Sequence, residues 1–153
     1  MLKFVEDVSQ RNMTTLLYDM RFWSLTLLRA FLGIVFAYHG LLRLFVPGNL
    51  AGSAAYFAEL GIPLAQASAF LFGVVEFGGG LLLLAGIFTR WSAFILMLGM
   101  AVAFFAFHIK NGLLVGNNGY EFVVLLIGTL LVIVLNGAGH LSLGKQFKSK
   151  HFE

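Results

Sequence analysis

Residues 64–88 read LAQASAFLFGVVEFGGGLLLLAGIF, a run bounded by Pro63 and Thr89-Arg90 that carries one charged side chain, Glu76. About 20 apolar residues, rising 1.5 Å each in a helix, cross a hydrocarbon core of roughly 30 Å. Inside lipid each backbone amide must be paired within its own segment, so a run of this kind is helical. Working outward, residues 24–46 form a similar run that stops at Pro47-Gly48, and residues 91–109 and 120–138 supply two more. The expected fold class is all-α: a polytopic membrane protein, one domain over residues 1–153, built as a four-transmembrane-helix bundle with an N-terminal interfacial segment.

Composition agrees. Apolar residues make up 59% and charged residues 11%, with a mean hydropathy of +0.91. Soluble domains run near 45–50% and about 25% on comparable counts. So much apolar surface exceeds what a core of this size can bury, which leaves the lipid bilayer as solvent. The net charge of +3 is too diffuse for a nucleic-acid footprint. Zero cysteines exclude a disulfide scaffold, a thiolate nucleophile, thiolate-held metal and self-contained dithiol chemistry.

The connections carry the polar residues. Residues 47–63 can hold a short interfacial helix from Ser53, as N-cap, to Leu60 before Gly61. A tight turn is expected at Thr89-Arg90, and Asn117-Asn118-Gly119 reads as another. Residues 1–22 mix Glu6, Asp7 and Arg11 with Leu16, Leu17 and Met20, which suits an amphipathic segment at the interface. They lack the continuous apolar stretch of a signal peptide. Four spans put both termini on one side, with Lys3, Arg11, Arg21, Arg90, Lys145, Lys148 and Lys150 against Arg43 and Lys110 on the other. The positive-inside rule therefore expects a bacterial inner membrane location, cytoplasmic termini and a basic cytoplasmic tail over residues 140–153.

A charge at a span centre costs on the order of 2.5–3.5 kcal/mol on insertion scales, so Arg29 and Glu76 should face protein. At 100° per residue, Arg29, Gly33, Phe36, Gly40 and Arg43 fall within about 80° of arc on the first helix, with His39 beside Arg43. Gly73, Glu76 and Gly80 make a similar stripe on the second. Arg43, His39, His108 and Glu121 lie in the outer half, Glu76 near the middle and Arg29 deeper, as a polar column topped by Tyr38, Tyr56, Tyr120, Asn111, Asn117 and Asn118. One reading is structural pairing, Arg43 with Glu121 and Arg29 with Glu76. The other is a ligand or redox site. His140 and His151 read as solvated. Gly78-Gly79-Gly80 is no phosphate loop, since no strand precedes it and no Lys-Ser/Thr pair follows. His39 and His108 could ligate haem, a weaker expectation without a Cys-x-x-Cys-His attachment. No metal site is expected.

LLRAFLGIVFAYHGLLRLF (27–45), GVVEFGGGLLLLAGIFTR (73–90), NGYEFVVLL (118–126) and NGAGHLSL (136–143) resemble the DoxX family of small four-helix membrane proteins. In that resemblance Arg29, the pair His39-Gly40, Arg43, Gly73 with Glu76, and Glu121 stand at the family's motif positions. Arg43 replaces the more frequent lysine. Gly137-Ala138-Gly139 and Ser142-Leu143-Gly144 depart from Gly-Pro-Gly and Ser-Leu-Asp. The resemblance implies a link to membrane oxidoreductases, including the DoxD-type subunit of thiosulfate:quinone oxidoreductase.

The leading expectation is a quinone-associated subunit of an inner-membrane oxidoreductase, with quinone or quinol as cofactor and a homo-oligomer or larger membrane complex as its setting. Phe36 and Phe77 would wall the cleft. His39 and Arg43 would donate to the ring carbonyls, with Arg29, His108 and Tyr120 completing the cofactor-binding set; Glu76 and Glu121 would carry protons, and Arg29 would also keep Glu76 ionisable. The alternative is a non-catalytic scaffold or assembly factor. A small transporter is a third reading, weakened by the absence of a broken, repeated span.

Overall fold

The computed structural model describes residues 2–146, with side chains from 13 to 144. Lys148, Lys150 and His151 lie outside the described residues. Every regular element described is helical: α1 (Leu2–Phe45), α2 (Asn49–Glu59), α3 (Ala65–Ala85), α4 (Thr89–Ala103), α5 (Glu121–Asn136) and the short α6 (Leu143–Gln146). α4 runs on through a π turn, Phe104–His108, and a 3-10 turn, Ile109–Asn111.

Among the described residues three helices are long and apolar enough to cross a bilayer: Met13–Phe45, Ala65–Ala85 and Thr89–Asn111. The fourth, α5, has 16 residues. At 1.5 Å per residue it spans roughly 24 Å, shorter than expected because Gly137, at φ 84, ends it before Ala138. α1 has 44 residues and no interruption, so the N-terminal segment and the first span are one helix of roughly 66 Å. Its first glycine is Gly33 and it contains no proline, so nothing in the sequence forces a bend between them.

Two further expectations need correction. Ser53 does not cap α2: the helix starts at Asn49 after Gly48, and Ser53 lies on its second turn, turned inward to a partner. The tight turn falls at Gly86 to Phe88, so Thr89 and Arg90 open α4 instead.

The two glycine stripes meet each other. α1 packs chiefly on α3 and α5 chiefly on α4, while α1 and α5 touch sparsely. A Cβ on Gly40 would collide with the Phe77 backbone, and one on Gly80 with the Ala37 backbone, so bare backbones are what let α1 and α3 approach. Leu32, Phe36, Leu83, Leu96, Leu130 and Ile133 fill the space between the two pairs. α2 lies over one end of the bundle, where Phe57 packs on Phe72 and Phe107. The opposite end carries the segment from Gly137 to Gln146.

Candidate functional site

The charged residues predicted to form one column separate to the two ends. Arg29 sits at the terminal end, only 3% exposed, and among the described residues its partners are backbone carbonyls. Its Nε donates to the Ala138 carbonyl at 2.7 Å, and Nη1 donates to those of Leu83 at 2.5 Å and Leu84 at 2.8 Å. Leu83 and Leu84 are among the last carbonyls of α3, which the helix itself leaves underused and whose dipole end favours a cation. Gly86, at φ 69, turns the chain so that they can be reached.

The segment after α5 closes over this arginine. Ser142 Oγ donates to the Gly86 carbonyl at 2.7 Å, and the His140 N–H donates to Thr26 Oγ1 at 2.9 Å. Gly139 leaves room for Thr26, and Arg21 bonds the Asn136 side chain. The His140 side chain is exposed, as expected, and its ring lies 5.4 Å from Phe22 and 3.6 Å from an Asp19 oxygen at the edge of this clasp. The expected pair of Arg29 with Glu76 does not form. Arg29 and Arg43 stand 14 positions apart on one helix, roughly 21 Å, which puts Glu76 out of reach.

At the α2 end, Arg43 Nε donates to Glu76 Oε2 at 3.1 Å and Nη1 donates to Ser53 Oγ at 3.2 Å. The guanidinium lies 5.1 Å from the Phe72 ring centre, within cation–π range. Glu76 is 6% exposed and buried beneath this contact. Phe72 and Glu76 are four residues apart on α3, so they share a face, as do His39 and Arg43 on α1.

These groups border a cavity of about 270 Å³, bounded by α1 on one side and α5 on the other. His39, Arg43, Glu76 and His108 are its ionisable lining, and Phe36, Phe72, Phe107, Met100 and Phe122 its apolar wall. The π turn ends α4 beside the cavity, and both Phe107 and His108 line it from that turn. His108 Nδ1 lies 2.8 Å from the Asn118 carbonyl. The volume exceeds the ~150 Å³ of an engineered cavity that holds benzene. It therefore has room for a substituted ring.

Other predicted site residues are placed elsewhere. Glu121 does not pair with Arg43: its Oε1 accepts the Val115 N–H at 2.7 Å and holds the preceding loop. Tyr120 packs edge-on against Phe104 at 5.3 Å and does not line the cavity. Phe77 lies against Phe45 and Gly40 and does not wall the cleft. Ser53, Phe57, Phe72 and Phe107 gained no site role from sequence. The available signals were the four-residue spacings from Phe72 to Glu76 and from Ser53 to Phe57, which place each pair on one helical face. Among the described residues no cluster of three metal-ligating side chains is present.

The DoxX family model matches residues 24–109. A protein of Haemophilus influenzae described as uncharacterized is 36% identical over 132 residues, covering 79% of this chain and 91% of its own length. Another uncharacterized protein of that organism is 39% identical over 67 residues, 44% of each chain, so the chain spans less than half of that relative. No solved structure matches.

Proposed function

The chain belongs to the DoxX family of membrane proteins, and from that premise we propose that it holds a quinone or quinol ring in the cavity at the α2 end, as a subunit of an inner-membrane oxidoreductase. The observation that carries this reading is one ring-sized space with an aromatic wall and four ionisable side chains on its border. Reduction of a quinone takes two electrons and two protons. His39, His108 and Glu76 can exchange the protons, and Arg43 can donate to a ring oxygen. The chain has no cysteine, and its sequence carries no dinucleotide-binding or haem-attachment motif, so the electrons come from a partner subunit or a soluble reductant.

The test is solvent extraction of the purified protein for co-purifying quinone, followed by equilibrium binding of a decyl-substituted benzoquinone and its hydroquinone in nanodiscs. Trp23 and Trp91 sit at the terminal end, so radiolabelled ligand is a better probe than tryptophan quenching. Wild type is expected to retain ligand, and Glu76→Gln to retain at least about tenfold less, the loss of a charged hydrogen-bonding group. Absence of quinone from wild type, with no binding of either probe, refutes the reading.

A scaffold or assembly role is the second reading, and the direct Arg43–Glu76 bond with Ser53, Phe57 and Phe72 around it favours it. It predicts that Glu76→Gln lowers stability or partner recovery and changes no ligand occupancy.

A further inference from the structure

The loop before α5 decides which way His108 can bond. A carbonyl oxygen only accepts, so the 2.8 Å contact to Asn118 O puts the ring proton on Nδ1. In the neutral imidazole Nε2 is then a bare acceptor, and among the described residues it has no protein partner. The Asn118 carbonyl is firmly placed. It also accepts from Asn111 Nδ2 at 3.1 Å, and Asn118 itself is held at φ 59 by its N–H to Val115 O at 2.9 Å. Tyr120 N–H to Gly112 O, Glu121 N–H to Leu113 O and the Glu121 carboxylate on Val115 N–H close the same loop. Glu121 thereby acts as a positioning residue for the carbonyl that sets the His108 tautomer.

We propose that His108 Nε2 is the acceptor for a ring hydroxyl, so that the cavity selects the reduced, hydroxyl-bearing form of its ligand over the oxidised dicarbonyl. This rests on the quinone reading above and assigns the redox form it binds. An oxidised ring offers acceptors alone, and its oxygen would face the Nε2 lone pair and the Glu76 carboxylate unpaired. A hydroquinone donates to both and still accepts from Arg43. One such hydrogen bond is worth about a fivefold difference in affinity, more where the acceptor is a carboxylate.

The experiment uses full-length protein in nanodiscs with ¹⁵N-labelled histidine. The chain has four histidines, and His108 is assigned by the resonances lost in His108→Phe. The expected spectrum shows the Nδ1–H tautomer at His108, with its Nε2 resonance moving on addition of decyl hydroquinone. The expected affinity ratio of hydroquinone to benzoquinone is about five or more in wild type and about fivefold lower than that in His108→Phe, where only the Glu76 carboxylate still favours the hydroxyl form. An Nε2–H tautomer at His108 overturns the inference. So does equal affinity of wild type for both forms, an outcome that leaves the quinone site standing. Failure of both forms to bind removes the site and the preference together.

Discussion

Replacing Arg29 with Met tests whether this charge belongs to the fold or to the chemistry. The substitution keeps an unbranched apolar stem and removes the donors that reach Ala138, Leu83 and Leu84. Hydrogen bonds between membrane helices average about 0.6 kcal/mol, so three give a floor near 2 kcal/mol. Removing one side of a buried charged contact in soluble proteins costs about 3–5 kcal/mol, which sets the ceiling because three carbonyls lose a partner at once. The guanidinium's own desolvation is relieved, which holds the net loss inside that range. Reversible unfolding of the purified protein in mixed detergent micelles should therefore show a loss of about 2–5 kcal/mol. Residues 139–143 should become sensitive to protease, since their bonds to Thr26 and Gly86 depend on the same cluster. Binding of decyl hydroquinone, measured where the variant is folded, should change by less than about twofold, because Arg29 lies about 21 Å from Arg43. A variant within about 0.5 kcal/mol of wild type would refute the structural role. Lost binding with unchanged stability would restore the predicted link to Glu76.

Two other predictions concern packing and topology. Gly80→Val should abolish or strongly weaken folding, by at least about 3 kcal/mol, because its Cβ meets the unyielding Ala37 backbone. Gly128→Ala, with nothing within 4 Å of the new methyl, should be neutral or stabilising by up to about 1 kcal/mol, and the two variants are compared in the same unfolding assay. Because the chain has no cysteine, single-cysteine variants give a clean topology assay. Lys110→Cys should react with an impermeant maleimide in intact cells and Lys145→Cys only after lysis, and the reverse pattern overturns the cytoplasmic placement of the termini.

The helices were legible because lipid imposes a local rule: every amide must be paired within its span, and the apolar runs of α1, α3, α4 and α5 show where that happens. The glycine stripes were legible too, since Gly33 with Gly40 and Gly73 with Gly80 each share a face. Which stripe meets which was not, because inter-helix register depends on the whole bundle. Depth along the helices alone therefore pairs Arg43 with Glu121, whereas the α1–α3 approach brings Glu76 beside it. Arg29 departs from the expected pairing for another reason. Charge pairing looks for a carboxylate, whereas the helix end it serves offers carbonyls, which no side-chain pattern displays. Glu121 opens α5 and bonds back into its own loop, a local contact that depth alone does not distinguish from a cavity position.

Among the described residues, the hydrogen bonds seen between α1 and the end of α5 or the segment beyond it lie at the terminal end, through Arg21, Phe22, Thr26 and Arg29. The bundle is therefore mechanically one-ended. By analogy with a clothes-peg sprung at one side, any parting of the two helix pairs is expected at the end where α2 and the cavity lie, opposite the clasp. Substitutions at Ser142 or Gly139, remote from any ligand, would then change how quickly a ligand enters and leaves while its contacts in the cavity stay the same.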